Sequence, residues 1–145
     1  MIRTLITAAM FALTVLPITA SAGEKPAATI YKNPNCGCCE QYADYMRQNG
    51  YKVTVKPTDD LTLIKRRYGV PEEFEGCHTT LIDGYVVEGH VPLNSVERLL
   101  TERPSIKGIA LPGMPQGSPG MSGAKRAPFT IYGFGRGRPK VYNVE

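Results

Sequence analysis

Residues 28–55 read ATIYKNPNCGCCEQYADYMRQNGYKVTV, and this stretch decides the fold. It opens on four residues of strand character and continues through a turn-rich NPN. A helix is then predicted from Cys36 to Asn49, because Tyr42 and Met46 recur at helical spacing and an Asn-Gly pair supplies the stop. The closing YKVTV alternates as a second strand should. Strand, helix and strand in this order predict a parallel β-α-β unit.

The rest of the core follows the same alternation of elements. A second helix is predicted over Leu61–Tyr68, with Asp59 or Asp60 as its N-cap. Two strands, TTLI and YVVE, flank Asp83-Gly84, which is the strongest short signal for a β-hairpin. A third helix is predicted over Ser95–Glu102. The order β-α-β-α-β-β-α predicts an α/β fold with thioredoxin-like topology.

The C-terminal part of the chain has a different composition. Residues 108–123 are rich in glycine, proline and methionine, so we expect a loop that lies on the domain and contains no regular element. Phe129–Gly133 and Lys140–Val144 then predict a terminal strand pair.

The N-terminus predicts an export signal. Arg3 precedes an apolar stretch over residues 5–18, and Ala20-Ser21-Ala22 offers the small residues of a cleavage site. We therefore expect residues 1–22 to be a signal peptide and residues 23–145 to form one small domain in the periplasm or outside the cell, both of which are oxidising environments. The apolar stretch is too short for a comfortable membrane span, and none is expected in the mature chain.

The charge pattern argues against nucleic acid as a partner. The net charge is +4, and the basic residues are scattered over Lys65-Arg66-Arg67, Lys125-Arg126 and Arg136 to Lys140. Nucleic-acid binding generally needs a denser basic face with aromatic side chains placed for stacking. We interpret each basic cluster as solvated surface.

The distribution of cysteines points to chemistry performed on sulfur. Cys36, Cys38 and Cys39 lie within four residues, and Cys77 is followed directly by His78. Structural disulfides usually close long loops, whereas a bridge between Cys36 and Cys38, or between Cys38 and Cys39, would close almost none. Metal binding, thiol exchange or both explain the cluster better than structural bridging does.

The predicted topology brings the distant cysteine to the others. Cys36 at a helix N-terminus has a stabilised thiolate, because unpaired N–H groups and the helix dipole favour negative charge there. In a thioredoxin-like fold the loop before the hairpin lies against that helix start, so we expect Cys77 and His78 to face the cluster. His90 ends the hairpin and either joins the same pole or bonds a backbone carbonyl.

The donor set favours copper. Thiolates and imidazoles are soft ligands that select Cu(I) or zinc over hard cations. Zinc sites usually pair cysteines two to four residues apart, and adjacent Cys38 and Cys39 depart from that spacing. Neighbouring cysteines can instead bridge several Cu(I) ions. Met114 and Met121 offer thioethers, which suit copper and hardly suit zinc, or they simply cover apolar surface.

Four ordered motifs extend through most of the chain between residues 31 and 121. They are YKNPNCGCC ending at Cys39, GCHT with Cys77, GYVVEGHVP with His90, and GIALPGMPQGSPGM ending at Met121. In these motifs the sequence resembles the short periplasmic copper-resistance proteins of the CopG type. The resemblance implies a thioredoxin-like domain that binds copper and acts in copper tolerance beside exporters and other periplasmic copper proteins. The implied ligands are Cys36, Cys38, Cys39 and Cys77, followed by His78 and His90 and then by Met114 and Met121.

We therefore expect a periplasmic protein that binds Cu(I), as one ion or as a multinuclear thiolate cluster, and protects against excess copper. Cys36 and Cys39 are the candidate catalytic pair of an oxidoreductase that interconverts Cu(I) and Cu(II), with a disulfide between them as electron store. Two other functions stay open: a thiol–disulfide oxidoreductase acting on proteins, and a copper chaperone without redox turnover that supplies an exporter. The former is less favoured because Cys38 interrupts the simple C-x-x-C pair.

Overall fold

The computed structural model describes residues 23–145, and the expected signal peptide at residues 1–22 lies outside them. In chain order the elements are β1 (Ala28–Lys32), α1 (Gly37–Gln48), β2 (Val53–Pro57), α2 (Leu61–Tyr68), a 3-10 turn (Glu72–Phe74), β3 (His78–Ile82), β4 (Tyr85–Glu88), α3 (Leu93–Glu102), β5 (Gly108–Ala110), β6 (Thr130–Phe134) and β7 (Lys140–Val144). Within residues 23–145, none of the helices has the length and apolar character of a membrane span.

The seven strands belong to one mixed sheet, in the order β2-β1-β3-β4-β5-β6-β7. β1 and β2 are parallel, β1 with β3 and β3 with β4 are antiparallel, and β4 with β5 is parallel. β5 with β6 and β6 with β7 are antiparallel. The element order through α3 and the terminal strand pair are as the sequence predicted, and the fold is mixed α/β with three helices.

Helix α1 forms where apolar residues recur every four positions. Tyr42 and Met46 are fully buried, and the Tyr42 hydroxyl donates a hydrogen bond to the carbonyl oxygen of Val91 at 2.8 Å. Cys36 is the N-cap and Asn49 the C-cap, so the predicted bounds hold to within one residue. The side chain of Cys36 makes no capping hydrogen bond, which leaves the first N–H groups of the helix directed towards the cysteine-bearing turn.

The other two helices differ in how they begin. In α2 the Asp60 carboxylate accepts a hydrogen bond from the N–H of Leu63 at 3.0 Å, and Gly69 ends the helix in the left-handed region. α3 begins at Leu93, two residues earlier than predicted, because Pro92 is already its N-cap.

The prediction that residues 108–123 contain no regular element is wrong for their first three residues. Gly108–Ala110 forms β5, which pairs with β4 on one side and β6 on the other. So short a strand is held because both neighbours supply hydrogen bonds. Glycine is required at position 108, since a Cβ there would lie 2.0 Å from the carbonyl oxygen of Val86. Residues 111–123 form turns and irregular chain, as expected.

The sheet buries apolar side chains on both faces. Helices α1 and α3 cover one face, with a cluster that includes Tyr42, Met46 and Leu99. The turn after α2 covers the other face, with a smaller cluster around Val70 and Phe74. Because successive residues of a strand point to opposite faces, β3 contributes side chains to both layers.

The ends of several helices and strands meet at one end of the sheet, where the central strands begin or finish. β3 is antiparallel to both β1 and β4, so β3 begins where β1 and β4 end, and Lys32 is the register partner of His78. Helix α1 begins a few residues after β1 ends. The cysteines and histidines singled out in the sequence lie at these ends.

Candidate metal centre

The N-cap and first turn of α1 carry three cysteines. Cys36 and Cys39 form a disulfide, whereas Cys38 is a free cysteine. Sγ of Cys38 lies 3.3 Å from Sγ of Cys36. Reduction of the disulfide would therefore place three thiols within one helical turn, next to N–H groups that stabilise thiolates.

A buried lysine fixes the loop that leads into these cysteines. Lys32, at the end of β1, is 2 % exposed, and its Nζ donates to the carbonyl oxygens of Asn33 and Pro34 at 3.1 and 3.0 Å. It also pairs with the Glu40 carboxylate at 3.1 Å, in the first turn of α1. This role of Lys32 was not predictable from the sequence, because a lysine at a strand end ordinarily extends into solvent.

Cys77 joins the cluster from the loop before β3. Its Sγ lies 3.8 Å from Sγ of Cys38, and its carbonyl oxygen lies 3.4 Å from Sγ of Cys39. The sulfur atoms of all four cysteines lie within 4.8 Å of one another. The structure thus brings the distant cysteine to the other three, as the topology predicted.

His90 lies on the other side of Cys77 and is fully buried. Its Nε2 is 3.0 Å from Sγ of Cys77, and its Nδ1 is 2.6 Å from the carbonyl oxygen of Pro119. A carbonyl oxygen can only accept, so Nδ1 carries the proton and Nε2 presents a lone pair towards the sulfur. Both interpretations that the sequence left open therefore apply, because His90 faces the cysteines and bonds a backbone carbonyl.

His78 is the first residue of β3 and is also fully buried. Its Nδ1 lies 3.5 Å from Sγ of Cys77, and its ring lies 4.6 Å from the Tyr42 ring, centroid to centroid. Nε2 of His78 has no hydrogen-bond partner among the described residues. An unpaired buried nitrogen costs about 1–3 kcal/mol, a cost that a ligand on Nε2 would remove.

Burial keeps both imidazoles neutral and the Cys77 thiol protonated. It lowers the pKa of His78 well below the usual histidine value, and the neighbouring His90 lowers it further. Burial likewise lowers the pKa of His90. Burial and then the adjacent Cys38 raise the pKa of the Cys77 thiol to about 12. Neutral imidazole is the form that binds metals, whereas a metal ion must displace the thiol proton.

Two groups of side chains have ligand atoms close enough to share a metal ion, and Cys77 belongs to both. Within each group these atoms lie no more than 4.8 Å apart. The groups are Cys36, Cys38, Cys39 and Cys77, and Cys77, His78 and His90.

The loop after β5 covers the centre through its backbone. Met114 is 43 % exposed, with a positive φ of 45°, and Met121 is half-buried. The carbonyl oxygen of Pro119 accepts the imidazole hydrogen bond described above, and a Cβ on Gly120 would lie 2.7 Å from the carbonyl oxygen of Cys38. Neither contact could be found from the sequence, because residue types do not show which carbonyl a histidine reaches or which backbone packs against a glycine.

The fold and the centre define a class of protein: a mixed α/β domain with a thiol-rich candidate metal site at the start of its first helix. Two solved structures, named Copper resistance protein copG Form 2 and Form 1, are each 40 % identical to this chain and cover 84 % of it. The matches span 99 % and 98 % of those chains, with TM-scores of 0.78 and 0.77. The chain belongs to the CopG family of copper resistance proteins.

A family model described as "Protein of unknown function, DUF411" matches residues 74–121. A search of curated proteins finds no match.

Proposed function

We propose that this protein binds copper as Cu(I) at the cysteine–histidine centre and acts in copper resistance. The observation that carries the proposal is the convergence of four cysteine sulfurs within 4.8 Å. Sulfur ligands in this number select a soft ion such as Cu(I) over hard cations. The relatives at 40 % identity bear the name copper resistance protein, which supports copper as the ion.

The proposed site is multinuclear and centred on Cys77. This cysteine belongs to the all-cysteine group and to the group with His78 and His90. We expect its thiolate to bridge copper ions held by the two groups. The adjacency of Cys38 and Cys39 fits such bridging better than it fits a tetrahedral zinc site.

The proposal includes a thioredoxin-like topology for residues 23–145, as one domain exported to the periplasm. In support, β1, α1 and β2 form a parallel unit, and the β3–β4 hairpin and α3 follow it. Cys36 and Cys39 have C-x-x-C spacing at the start of the first helix, where thioredoxin-like proteins carry their redox pair. A disulfide at this position is in keeping with an oxidising compartment.

The Cys36–Cys39 disulfide favours a second function, the reduction of copper. In this reaction the thiols of Cys36 and Cys39 lose two electrons and two protons and form one disulfide. Each of two Cu(II) ions takes up one of the electrons. The two Cu(I) ions formed are soft and stay with the remaining thiol and imidazole ligands. The protein then acts as an oxidoreductase on copper ions.

Anaerobic titration of the reduced protein with Cu(I), against a competing chelator, tests copper binding. We expect tight binding by the unmodified protein, and fewer ions bound more weakly by Cys36→Ser/Cys39→Ser, because a serine hydroxyl is a hard, neutral ligand. Ser105→Ala, at an exposed position before β5, is the control and should bind as the unmodified protein does. An unchanged copper stoichiometry in the double variant would overturn the proposal.

Two measurements separate the alternatives. A thiol–disulfide oxidoreductase acting on proteins would reduce or isomerise their disulfides, lose that activity with Cys36→Ser alone, and ignore copper chelators. A chaperone without redox turnover would transfer copper with its oxidation state unchanged. Following the oxidation state during transfer to an acceptor protein distinguishes the chaperone from the oxidoreductase.

A further inference from the structure

A buried ion pair lies beneath the loop that carries Cys77. Lys65, on α2, is 3 % exposed, Glu88, at the end of β4, is fully buried, and the Lys65 ammonium donates to Oε1 of Glu88. The interpretation of Lys65-Arg66-Arg67 as solvated surface is therefore wrong for Lys65. Burying two charges costs several kcal/mol per ion unless further hydrogen bonds satisfy them. The pair therefore requires an explanation.

The hydrogen bonds around the carboxylate supply that explanation. Oε1 of Glu88 also accepts the N–H of Gly76 at 2.7 Å, and Oε2 accepts the hydroxyl of Thr79 at 2.7 Å. Oγ1 of Thr79 in turn accepts from Lys65 at 3.1 Å. One carboxylate thus receives donors from α2, from the loop before β3, and from β3 itself.

The same carboxylate lies between two segments that carry proposed ligands. Gly76 directly precedes Cys77, and Glu88 lies two residues before His90. The segments are in close contact, since a Cβ on Gly76 would lie 3.1 Å from Cα of Gly89. A displacement at Gly76 would therefore move Cys77 relative to the other ligands.

We propose that Glu88, with Lys65 as its counter-ion, is a positioning residue that holds Cys77 beside Cys38 and His90. This rests on the proposed function and extends it to two side chains on the opposite face of the sheet, of which Glu88 bonds the ligand loop at Gly76. An apolar pair would fill the same space but would leave the N–H of Gly76 and the hydroxyl of Thr79 unpaired inside the protein.

Two double variants separate the hydrogen bonds of residue 88 from its charge. In Lys65→Met/Glu88→Gln the glutamine carbonyl oxygen can still accept from the Gly76 N–H, whereas Lys65→Met/Glu88→Leu has no acceptor. Both variants lack the buried charges, so they differ mainly in the hydrogen bonds that residue 88 can make with the N–H of Gly76 and the hydroxyl of Thr79.

The first measurement is the rate at which Cys77 forms a disulfide with Cys38, in metal-free protein with the Cys36–Cys39 disulfide intact. Diamide oxidises the thiols of Cys38 and Cys77, 3.8 Å apart, to a disulfide and takes up the two hydrogens that they lose. We expect the leucine variant to cross-link about tenfold more slowly than the glutamine variant, because small displacements of reacting atoms cost large factors in rate. Mass spectrometry after alkylation follows the reaction.

Copper affinity is the second readout. We expect the leucine variant to bind Cu(I) about 10- to 100-fold more weakly than the glutamine variant, as is typical when a residue that orients a ligand is lost. Phe134→Leu, a buried substitution at the last residue of β6, is the control for general destabilisation. Urea unfolding compares its stability with that of the leucine double variant. Phe134→Leu should leave both readouts unchanged.

Slower cross-linking in the leucine variant supports the positioning role, and equal rates in the two double variants overturn it. Cross-linking requires no copper. Its outcome is therefore distinct from failure of the proposed function, which would appear as absence of Cu(I) binding by the unmodified protein.

Discussion

Two sets of buried polar side chains lie on opposite faces of β3, and the protein satisfies them to different extents. On the α1 face, His78 contacts Tyr42 and leaves Nε2 without a partner among residues 23–145. On the α2 face, the hydroxyl of Thr79 donates to Glu88 and accepts from Lys65. Of these two adjacent residues, His78 thus has an unpaired polar atom whereas the hydroxyl of Thr79 is fully hydrogen-bonded.

This difference indicates that the two faces have different roles: one binds a ligand and the other holds a ligand-bearing loop in place. A closed network of buried polar groups makes its surroundings rigid, whereas an open polar atom in the interior costs free energy unless a ligand uses it. The α1 face is the one on which we propose that copper binds. The α2 face holds the loop that presents Cys77.

Cys77→Ser should have the largest effect, because Cys77 belongs to both groups of ligand atoms. We expect the copper content of the anaerobically loaded protein to fall below that of any single histidine variant, as measured by elemental analysis. Cys38→Ser is the matched comparison, since Cys38 belongs to one group only, and it should retain more copper. Equal losses in the two variants would contradict the shared position of Cys77.

His78→Phe and Thr79→Val compare the two faces directly. Phenylalanine removes the unpaired Nε2, so the metal-free protein should gain about 1–3 kcal/mol in its free energy of unfolding while its affinity for copper falls. Valine removes a hydroxyl that two charged groups use, so stability should fall by about 1–3 kcal/mol while copper stoichiometry is kept. Urea unfolding and Cu(I) titration measure both quantities. The comparison fails if the two variants lose the same stability.

The stability of the metal-free protein should depend on pH through His78. Burial lowers the pKa of the folded His78 well below the usual value, so below about pH 6.5 the unfolded chain takes up a proton that the folded protein does not. The free energy of unfolding therefore falls by about 1.4 kcal/mol for each pH unit below that value, and His78 has no such effect above it. The slope from urea unfolding should be smaller by this amount in His78→Phe, and an identical slope would exclude a buried, neutral His78.

Met114→Leu and Met121→Leu should have the smallest effect. Leucine keeps the apolar cover that either methionine provides, and Met114 is already largely open to solvent. We expect the Cu(I) affinity to stay within the error of the competition titration. A loss as large as that of His78→Phe would instead identify a thioether ligand.

Local patterns predicted most of the fold because the signals lie within each element. The spacing of Tyr42 and Met46, the cap at Asp60 and the turn at Asp83-Gly84 all depend on near neighbours in sequence. Strand β5 escaped prediction because its three residues are held by partners in β4 and β6, which are distant along the chain. Its composition resembles the loop that follows it.

The candidate centre was also predictable only in part, because contacts between residues distant along the chain were again missed. Residue type and topology together indicated the cysteines and histidines, because soft ligands at element ends have few other uses. The side chains that support them were not predictable, since Lys65 stands in a basic run that is typical of solvent-exposed surface. Its burial depends on Glu88, which lies 23 residues away.

Copper K-edge X-ray absorption on the anaerobically loaded protein tests the central claim most directly. The account predicts a first shell dominated by sulfur, with copper–copper scattering and a nitrogen contribution that falls in His78→Phe. A first shell of nitrogen and oxygen alone, unchanged by Cys77→Ser, would contradict it.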